Sequence, residues 1–365
     1  MRILHLVSFP TMTGPADPAL GLARAQRAAG IDVSIAIDRL REGNMLEKVR
    51  ASEVPLVDGL TLSTKAVGRT LADLVKLGSV TKGFDVVHVH ASNDHALAAA
   101  RSAGRILVRS IHHPRSARRR GLQGWVYGRT DGFTVPAEAH RRLLLESYAP
   151  PEDRVIVLPG AVDERRFHPG VDGGSLRDRF SVPRDAIVVG MIARIKPGRG
   201  HDLLLEAFRR LAAPGVRLVF IGKGEGEATL DAAIAEHGLA EVTHRYGFRD
   251  ADLPEAIRSC DVTVLLEEGN DAGCRAVLES MAVGVPVIGA AHPAIAEALA
   301  GADVGWTIPV RDVDALHAAL VEAVGSEALR QAKGAAARAH VEASYTDARR
   351  AERMSAFYTR CLEGR

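Results

Sequence analysis

Residues 260–290 constrain the fold of this chain more than any other stretch, because two apolar runs there flank a polar loop and a helical segment. The first run, Asp261–Leu266, is apolar without alternation, and Val285–Ile288 repeats the pattern, as is typical of strands covered on both faces of a parallel sheet. The helix is predicted to begin near Gly273. Its first amides would face the crevice above the strand ends, so the stretch predicts an anion site in an α/β fold.

Two carboxylates in this stretch are candidates for binding a ligand. Asp271 lies in the loop, and Glu279 lies eight positions later on the predicted helix. With a rise of about 1.5 Å per residue, the two carboxylates would be on the order of 10 Å apart. That separation suits two ends of one elongated ligand, and it is too wide for two carboxylates that act together on a single bond.

Length and composition narrow the class of protein. A chain of 365 residues exceeds what one hydrophobic core usually supports, so we expect two domains. The net charge of +2 gives no argument for nucleic acid as a partner. The three cysteines, Cys260, Cys274 and Cys361, are widely spaced and favour a reducing compartment over a disulfide framework. Without a signal-like start or an apolar run of about 18 residues, a cytoplasmic protein is expected.

The first residues predict a strand, helix, strand unit. Arg2–Ser8 and Ile31–Ile37 have the composition of strands, and a helix is predicted between them from about Asp17 to Ala29. Parallel strands need such a crossover. Gly14 lies in the first turn, where a phosphate could approach, although an ordinary turn explains the same residue.

A pair of histidines follows a later strand. The strands Phe84–His90 and Arg105–Ile111 belong to the same predicted sheet, and the second delivers His112 and His113 to its carboxyl end. Ligands bind at that end in open parallel sheets, so both side chains are candidates for a site. The alternative is that they cap the strand end without a functional role.

Several histidines could suggest a zinc site, because imidazole is the commonest metal ligand. His88 and His90 share one face of a strand, but that strand belongs to a buried sheet. No cysteine or carboxylate cluster with zinc-like spacing completes four ligands around them or around the neighbouring His95, His112 and His113. We therefore expect no metal site.

The basic segment 115–129 has two interpretations. It combines five arginines with Trp125 and Tyr127. Positive charge beside amphipathic aromatic rings is typical of a surface that rests on anionic lipid, which would give peripheral contact with a membrane. A solvated basic loop and helix is the alternative.

The second half of the chain restarts the alternation of strands and helices. A polar change of composition from Pro169 to Pro183 marks the predicted domain boundary. The strand Ala186–Ile192 follows, and Arg194, Lys196 and Arg199 come directly after it. Three cations within six residues at a ligand-binding sheet edge favour a bound anion over plain surface charge.

A glycine-rich turn, Gly222-Lys223-Gly224-Glu225-Gly226, follows the predicted strand Arg217–Ile221. In isolation this turn is a weak signal for dinucleotide binding, because glycine also serves ordinary tight turns.

The central stretch resembles the signature of the retaining family 4 glycosyltransferases. The family pattern has two Glu residues eight positions apart, followed by Ala-Met-Ala and Gly-x-Pro-Val. Here Glu279 precedes Ser280-Met281-Ala282 and Gly284-Val285-Pro286-Val287, and Asp271 stands where the family has its first Glu. The resemblance implies the GT-B fold, in which two Rossmann-like, doubly wound parallel-sheet domains face each other across a cleft.

The resemblance also implies roles for individual residues. Glu279 would bond the donor ribose, and Arg194 and Arg199 would bind the donor diphosphate. His112 and Asp271 would be the catalytic residues that position the donor sugar and the acceptor. The implied donor-binding set is Gly14, Arg194, Arg199, Gly222, Phe248, Arg249, Gly273, Cys274, Arg275 and Glu279, with Phe248 or Arg249 stacking on the base.

The same resemblance divides the chain into two domains. Residues 1–169 would form the acceptor-binding domain, to which a last helix over about 346–362 returns. Residues 170–345 would bind the nucleotide sugar.

The implied activity is that of a metal-independent hexosyltransferase without a cofactor. It would move a sugar from a nucleotide-diphosphate donor to a glycan or lipid-linked acceptor with retained anomeric configuration, as in polysaccharide biosynthesis. Two alternatives remain open. A nucleotide-sugar epimerase has a similar paired architecture and needs no acceptor, and a non-catalytic nucleotide-sugar-binding protein is favoured by the departures from the pattern at Asp271, Cys274 and His292-Pro293.

Overall fold

The computed structural model describes residues 1–12, 14–62, 67–118, 123–268, 274–301 and 303–364. Within these ranges the strands are β1 (Arg2–Val7), β2 (Asp32–Ile37), β3 (Val86–Val89), β4 (Ile106–Ser110), β5 (Gly132–Val135), β6 (Val155–Val157), β7 (Ile187–Ile192), β8 (Val216–Ile221), β9 (Thr243–Gly247), β10 (Val262–Leu265), β11 (Val287–Ala290) and β12 (Gly305–Ile308).

The helices alternate with these strands. They are α1 (Ala16–Ala28), α2 (Met45–Ala51), α3 (Val67–Val80), α4 (Ser92–Arg101), α5 (Pro114–Ala117), α6 (Gln123–Tyr127), α7 (Glu138–Tyr148), α8 (Gly174–Arg179), α9 (His201–Leu211), α10 (Glu227–Glu236), α11 (Leu253–Arg258), α12 (Arg275–Ala282), α13 (Pro293–Ala298), α14 (Val313–Gly325), α15 (Glu327–Ser344) and α16 (Asp347–Glu363). Short 3-10 helices cover Thr81–Gly83, Glu152–Arg154 and Ala240–Val242.

Two parallel six-stranded sheets organise these elements. The first has the strand order β2-β1-β3-β4-β5-β6, and the second has the order β12-β11-β10-β7-β8-β9. Every strand pair in both sheets is parallel. The order reverses direction beside β1 in the first sheet and beside β7 in the second, which is the arrangement of a doubly wound α/β fold. The predicted fold class is confirmed.

The chain divides into two compact units. The first comprises Met1–Ala161 and Asp347–Arg365, and the second comprises Val162–Gly269 and Cys274–Thr346. The chain thus passes from one unit to the other between Ala161 and Val162, before the sequence-based boundary at residue 169. The last helix, predicted over residues 346–362, is α16 and belongs to the first unit.

The core of the first unit depends on α16. Its side chains Ala351, Met354, Phe357 and Tyr358 are buried in one cluster with apolar residues of β1, β2 and α1. The helix approaches β5 so closely at Gly132 that a Cβ there would lie 2.7 Å from Cζ of Phe357. Because packed interiors have no room for such an atom, a side chain at this position would displace the helix.

Some element bounds differ from the sequence-based ones for local reasons. The strand predicted over Val285–Ile288 begins at Val287, because the backbone amide of Val285 donates to Ser280 O and closes the end of α12. The helix α15 was not predicted. Ser326 caps it by accepting a hydrogen bond from the amide of Leu329, and that Ser before an alanine-rich run was a signal for a helix start.

Replacing Gly132 with Ala tests the packing of α16. We expect the Gly132→Ala variant to lose about 1–3 kcal/mol of unfolding free energy, because overpacking forces the ring of Phe357 or the strand to shift. Urea unfolding measured against Gly83→Ala provides the matched control, since a Cβ at Gly83 meets no atom within 4 Å. Equal stability of the two variants would contradict this account of the core.

Candidate active site

The loops after β7 and β8 in the second unit are joined through their backbones. The amide of Ile195 donates to Lys223 O at 3.2 Å, and the amide of Gly226 donates to Ile195 O at 3.0 Å. A further bond of 2.8 Å from the Gly222 amide to Gly247 O ties in the end of β9. The carboxyl ends of three neighbouring strands therefore carry one connected platform, where ligands bind in open parallel sheets.

Glycine is required where these loops meet. A Cβ at Gly222 would lie 2.0 Å from the carbonyl oxygen of Ala193, and a Cβ at Gly224 would lie 2.0 Å from that of Ile195. No side chain can occupy such positions unless the backbones separate. The glycine-rich turn that was a weak signal in the sequence thus has a physical reason, which is the close approach of two loops.

Two arginines of the predicted donor set lie on this platform in different surroundings. Arg194 is exposed, and its Nη2 lies 2.9 Å from Oε2 of the exposed Glu225. Arg199 is half-buried, and its Nη1 donates to Glu268 O at 2.7 Å. Burial lowers the pKa of Arg199, while the nearby carboxylate of Glu267 opposes that shift.

Arg199 also has hydrogen-bonding capacity that its surroundings leave unused. Its Nε is buried and has no hydrogen-bond partner within the described part of the chain. The next residue but one, His201, begins α9, and Gly200 before it supplies no side-chain cap. The guanidinium group and the first amides of α9 are therefore hydrogen-bond donors on neighbouring residues. Donors of this kind bind anions.

Glu279 and its neighbours lie on α12. Glu279 is 7 % exposed, and its Oε1 lies 3.7 Å from Nε of Arg275. Cys274 precedes the helix in the left-handed region, with φ +52°. For a non-glycine residue that backbone conformation costs energy, so it is a feature more common at functional sites than elsewhere. Two predicted residues of this stretch, Asp271 and Gly273, lie outside the described residues.

Phe248 and Arg249 follow β9 and differ in availability. Phe248 is 58 % exposed, and Nζ of Lys223 lies 4.8 Å from its ring centroid. Arg249 donates from Nη1 to Oδ2 of Asp252 at 3.1 Å, and its Cζ lies 5.4 Å from the ring centroid of Phe180. The phenyl ring of Phe248 is thus exposed to solvent beside Lys223, whereas the guanidinium group of Arg249 is stacked on Phe180 and paired with Asp252.

Two carboxylates that were given no role in the sequence analysis organise this edge of the sheet. Oε1 of Glu268 accepts from the amide of Ala294 at 2.9 Å and so caps the start of α13. Oε2 of Glu267 lies 3.1 Å from Nε2 of His292. Pro293 is the first residue of α13, and Pro is typical of that position, so the pair His292-Pro293 marked a helix start that the sequence already contained.

The remaining predicted site residues lie in the first unit. His112 follows β4, is half-buried and has Nε2 3.2 Å from Nδ1 of His90. His113 caps the short helix α5 by accepting from the amide of Arg115 at 3.0 Å. Gly14 has φ +51° in the turn before α1, and a Cβ there would meet no atom within 4 Å. The turn therefore leaves open space at Gly14.

Buried histidines continue inward from His112. His90 Nε2 lies 3.0 Å from His5 Nδ1, and His5 Nε2 lies 2.8 Å from Gln26 Oε1. On a second branch His88 lies 2.6 Å from the hydroxyl of Tyr358 and 2.8 Å from that of Ser110. The sequence predicts that His88 and His90 lie on a buried strand, and it contains no signal for the hydrogen bonds that join His90 to His5 and His112.

The three histidines His5, His88 and His90 are close enough to be considered as metal ligands, because their ligand atoms lie within 4.8 Å of one another. All six of their ring nitrogens, however, lie within hydrogen-bond distance of another side chain. The hydrogen-bond network thus accounts for these polar groups without a metal.

The basic segment 115–129 exposes one of its two aromatic rings. Trp125 is 52 % exposed, and Cζ of Arg129 lies 4.5 Å from its ring centroid. Tyr127, which the sequence analysis counted with Trp125, is buried instead and stacks on Tyr148 at 4.0 Å between ring centroids. Among the described helices, none has both the length and the apolar character needed to cross a bilayer.

Comparison with known proteins places this architecture in a class. The family model of group 1 glycosyl transferases matches residues 175–340, and that of Glycosyltransferase Family 4 matches residues 19–166. A D-inositol 3-phosphate glycosyltransferase of Stackebrandtia nassauensis is 29 % identical over 77 % of this chain and 69 % of its own length. A phosphatidyl-myo-inositol mannosyltransferase of Mycolicibacterium smegmatis is 26 % identical over 88 % of this chain and 84 % of its own.

Solved structures agree on the fold. The crystal structure of Anabaena Alr3699/HepE in complex with UDP superposes with a TM-score of 0.83, at 17 % identity, over 99 % of this chain and 100 % of that one. A glycosyltransferase from Rickettsia africae gives a TM-score of 0.84, at 15 % identity, over 100 % of this chain and 99 % of that one.

Fold and matches together define a glycosyltransferase with the GT-B fold. Within that class, the chain belongs to the family 4 glycosyltransferases. The resemblance inferred from the sequence is confirmed.

The buried histidines predict acid lability of the first unit. Burial lowers the pKa of His5 to about 4 and that of His112 to about 3, and it lowers the pKa values of His88, His90 and His95 well below the usual range. In the unfolded chain the same side chains titrate near pH 6.5. The unfolded state therefore binds more protons below that pH, and stability falls as the pH is lowered from about 6.5 toward 4.

The expected loss of unfolding free energy is large. At pH 5 each buried, neutral histidine lowers the unfolding free energy by about 2 kcal/mol. Asp94 acts in the opposite direction, because burial raises its pKa to about 6, but it is a single group. Urea unfolding at pH 7.5, 6 and 5 measures the effect. In the His95→Gln variant, the slope of the unfolding free energy against pH should decrease by the contribution of about one proton. The variant keeps the local hydrogen bond, because the Gln amide can donate to the hydroxyl of Thr130, which lies 2.7 Å from His95 Nε2 in the native protein. A flat stability profile from pH 7.5 to 5 would refute the assignment of neutral, buried rings.

Proposed function

We propose that this glycosyltransferase uses a nucleotide-diphosphate sugar as donor and transfers the sugar, with retained anomeric configuration, to a glycan or lipid-linked acceptor. The observation that carries the proposal is the platform in the second unit, where Arg199 and the start of α9 present donors beside loops held together by Gly222 and Gly224. A pyrophosphate, with its several anionic oxygens, is the chemical group such donors recognise.

The two arginines would have different tasks. Arg199 is held by its bond to Glu268 O, so its remaining N–H groups are already oriented before a ligand arrives. Arg194 is exposed and paired with Glu225, so it would exchange that surface partner for phosphate. An exposed pair contributes little to stability, and the exchange therefore costs little.

Recognition of the nucleoside is assigned to Glu279 and Phe248. The carboxylate of Glu279 is almost enclosed and lies 3.7 Å from Nε of Arg275, and its oxygens can accept hydrogen bonds from two ribose hydroxyls. Phe248 offers an exposed ring for the base. In support, a solved structural neighbour is Anabaena Alr3699/HepE in complex with UDP-glucose, with a TM-score of 0.81.

The chemical step would rest on charge stabilisation. The bond from the anomeric carbon to the leaving phosphate oxygen breaks while the acceptor hydroxyl oxygen bonds to that carbon on the same face. The hydroxyl proton passes to the departing phosphate oxygen. Arg194, Arg199 and the helix amides near Cys274 and Arg275 would stabilise the developing diphosphate, which is the part that a metal plays elsewhere, so no metal or cofactor is needed. His112 and Asp271 would position the sugar and the acceptor.

The acceptor is proposed from the names of the relatives. Two of them are a D-inositol 3-phosphate glycosyltransferase and a phosphatidyl-myo-inositol mannosyltransferase, so polyols carrying phosphate or lipid are the first acceptors to test. For lipid-linked acceptors we propose a cytoplasmic enzyme that contacts the inner face of the membrane through Trp125 and Arg129.

A transfer assay tests the proposed activity. Radiolabelled nucleotide sugars incubated with phosphorylated polyols, phosphatidylinositol vesicles and glycan extracts, with EDTA present, should give a labelled acceptor product. Release of an isomeric nucleotide sugar would favour an epimerase, and retention of label on the protein alone would favour a binding protein. Either of those outcomes would overturn the proposal.

Substitution of Arg199 and Glu279 tests the site. Arg199→Gln should weaken binding of both nucleoside diphosphates and inorganic pyrophosphate by about 10-fold to 100-fold, because a charge-assisted hydrogen bond contributes about 1.5–3 kcal/mol. Glu279→Gln should weaken the binding of nucleoside diphosphates by about 10-fold and leave the binding of pyrophosphate unchanged, since pyrophosphate has no ribose. Isothermal titration calorimetry measures both affinities.

Arg209 offers a matched control for these variants. Arg209 lies on α9, whose first amides belong to the proposed phosphate site. Its side chain is exposed, and its Nη2 lies 3.1 Å from Oε1 of Glu206. Arg209→Gln should leave every affinity within twofold of the native value. If Arg199→Gln behaves like this control, the phosphate assignment is wrong.

A further inference from the structure

The ring of His112 ends a chain of hydrogen bonds that runs into the first unit. Nε2 of His112 lies 3.2 Å from Nδ1 of His90, whose Nε2 lies 3.0 Å from Nδ1 of His5. Nε2 of His5 lies 2.8 Å from Oε1 of Gln26. Each of the two inner rings is thus engaged through both of its nitrogens, and His112 through one.

Burial makes these rings neutral. His5 and Gln26 are 0 % exposed and His90 is 1 % exposed. Burial accordingly lowers the pKa of His5 to about 4 and that of His90 well below its usual range. A neutral imidazole carries one N–H and one lone pair, so a ring that accepts at one nitrogen must donate at the other.

Gln26 sets the direction of the chain. Its Oε1 only accepts, so His5 donates from Nε2 and accepts at Nδ1. His90 must then donate from Nε2 and accept at Nδ1, and His112 must donate from Nε2. The lone pair of His112 is consequently at Nδ1.

The amide nitrogen of Gln26 faces the hydroxyl of Tyr358. The amide nitrogen of Gln26 donates to the hydroxyl of Tyr358 at 3.5 Å, and that hydroxyl lies 2.6 Å from Nδ1 of His88. His88 then donates from Nε2 to Ser110, 2.8 Å away. Both branches are satisfied with this one orientation. With the amide rotated by half a turn, every bond toward His112 would reverse and Nδ1 of His112 would carry the proton.

We propose that Gln26, acting through His5 and His90, holds His112 in the Nε2–H tautomer, so that Nδ1 of His112 accepts a hydrogen bond from a substrate hydroxyl. Gln26, His5 and His90 are positioning residues in this scheme. The tautomer is a property of the first unit alone, whereas its use on a substrate hydroxyl rests on the proposed function.

The fixed tautomer restricts what His112 can recognise. Within the described part of the chain, its ring has only the hydrogen bond to His90, so Nδ1 is the nitrogen available to a ligand. A neutral acceptor there binds a hydroxyl, and it neither attracts phosphate nor donates to a carbonyl oxygen. A sugar or polyol hydroxyl is the ligand group with matching chemistry.

Nitrogen-15 NMR of histidine-labelled protein tests the tautomer directly. The resonances of His112, assigned by comparison with a His112→Asn sample, should show a protonated Nε2 and an unprotonated Nδ1 near pH 7.5. In Gln26→Met, which removes the acceptor but keeps a similar volume, His112 should shift to a mixture of the two tautomers. A native ring protonated at Nδ1 would overturn the proposal, and so would an unchanged tautomer in Gln26→Met. The measurement on the native protein stands even where the variant does not fold.

Thr81→Val supplies the matched control. It removes a buried hydrogen bond of the first unit, from Oγ1 of Thr81 to Leu77 O at 2.8 Å, that has no link to the network of Gln26 and the histidines. The tautomer of His112 should remain that of the native protein in this variant. A changed tautomer in Thr81→Val would show that any loss of buried polarity disturbs His112, and the specific role of Gln26 would then be refuted.

Kinetics separate this inference from the proposed function. Gln26→Met should lower kcat about tenfold or more while the affinity for the nucleoside diphosphate stays within twofold, and Thr81→Val should leave both near the native values. Failure of the native enzyme to transfer any sugar would sink the proposed function and leave the NMR result on the tautomer intact. If Gln26→Met shifts the tautomer of His112 and still has the native kcat, the proposal that Nδ1 of His112 accepts a hydrogen bond from a substrate hydroxyl is refuted.

Discussion

The approach of two backbones in the second unit is the constraint on which the proposed donor site depends. The carbonyl groups of Ala193 and Ile195 occupy the places where side chains at Gly222 and Gly224 would stand. This approach lets main-chain hydrogen bonds, rather than long side chains, fix the loop that carries Arg194 and Arg199. Because a loop fixed by backbone hydrogen bonds loses little conformational freedom when a ligand binds, the two arginines are preorganised for binding.

The first unit uses a different physical device. Its interior contains side chains that could carry charge, and the structure keeps them neutral through burial and mutual hydrogen bonding. Such a network is stable only when every member is satisfied, so each partner restricts the protonation pattern of the next. The acid lability of this unit and the fixed tautomer of His112 are therefore two consequences of one arrangement.

Much of the fold was predictable, because the strongest signals are local. Apolar runs such as Ile187–Ile192 and the periodic apolar face of α16 indicate buried strands and a packed helix without knowledge of tertiary contacts. The signature around Glu279 likewise identified the family. Element ends were less predictable, since Val285 completes a helix through its backbone instead of starting a strand.

Features that depend on distant residues were not predictable from the sequence. The chain from Gln26 to His112 joins residues of α1, β1 and the ends of β3 and β4, and no spacing rule connects them. The same holds for Tyr127, whose burial depends on Tyr148 from the next helix. The contacts of Glu267 and Glu268 were not predictable either, because their partners His292 and Ala294 lie at the start of α13. Only that helix start was marked in the sequence, by Pro293.

The return of α16 has a consequence for synthesis on the ribosome. Among the described residues, the first unit consists of two segments of the chain, and the second unit is translated between them. Until translation reaches Tyr358, the nascent first unit lacks four buried side chains of its core and the hydroxyl beside His88. The second unit, by contrast, can complete its sheet earlier. The amino-terminal domain usually folds first during synthesis, but here the core of the amino-terminal unit is complete only when the last helix has been made.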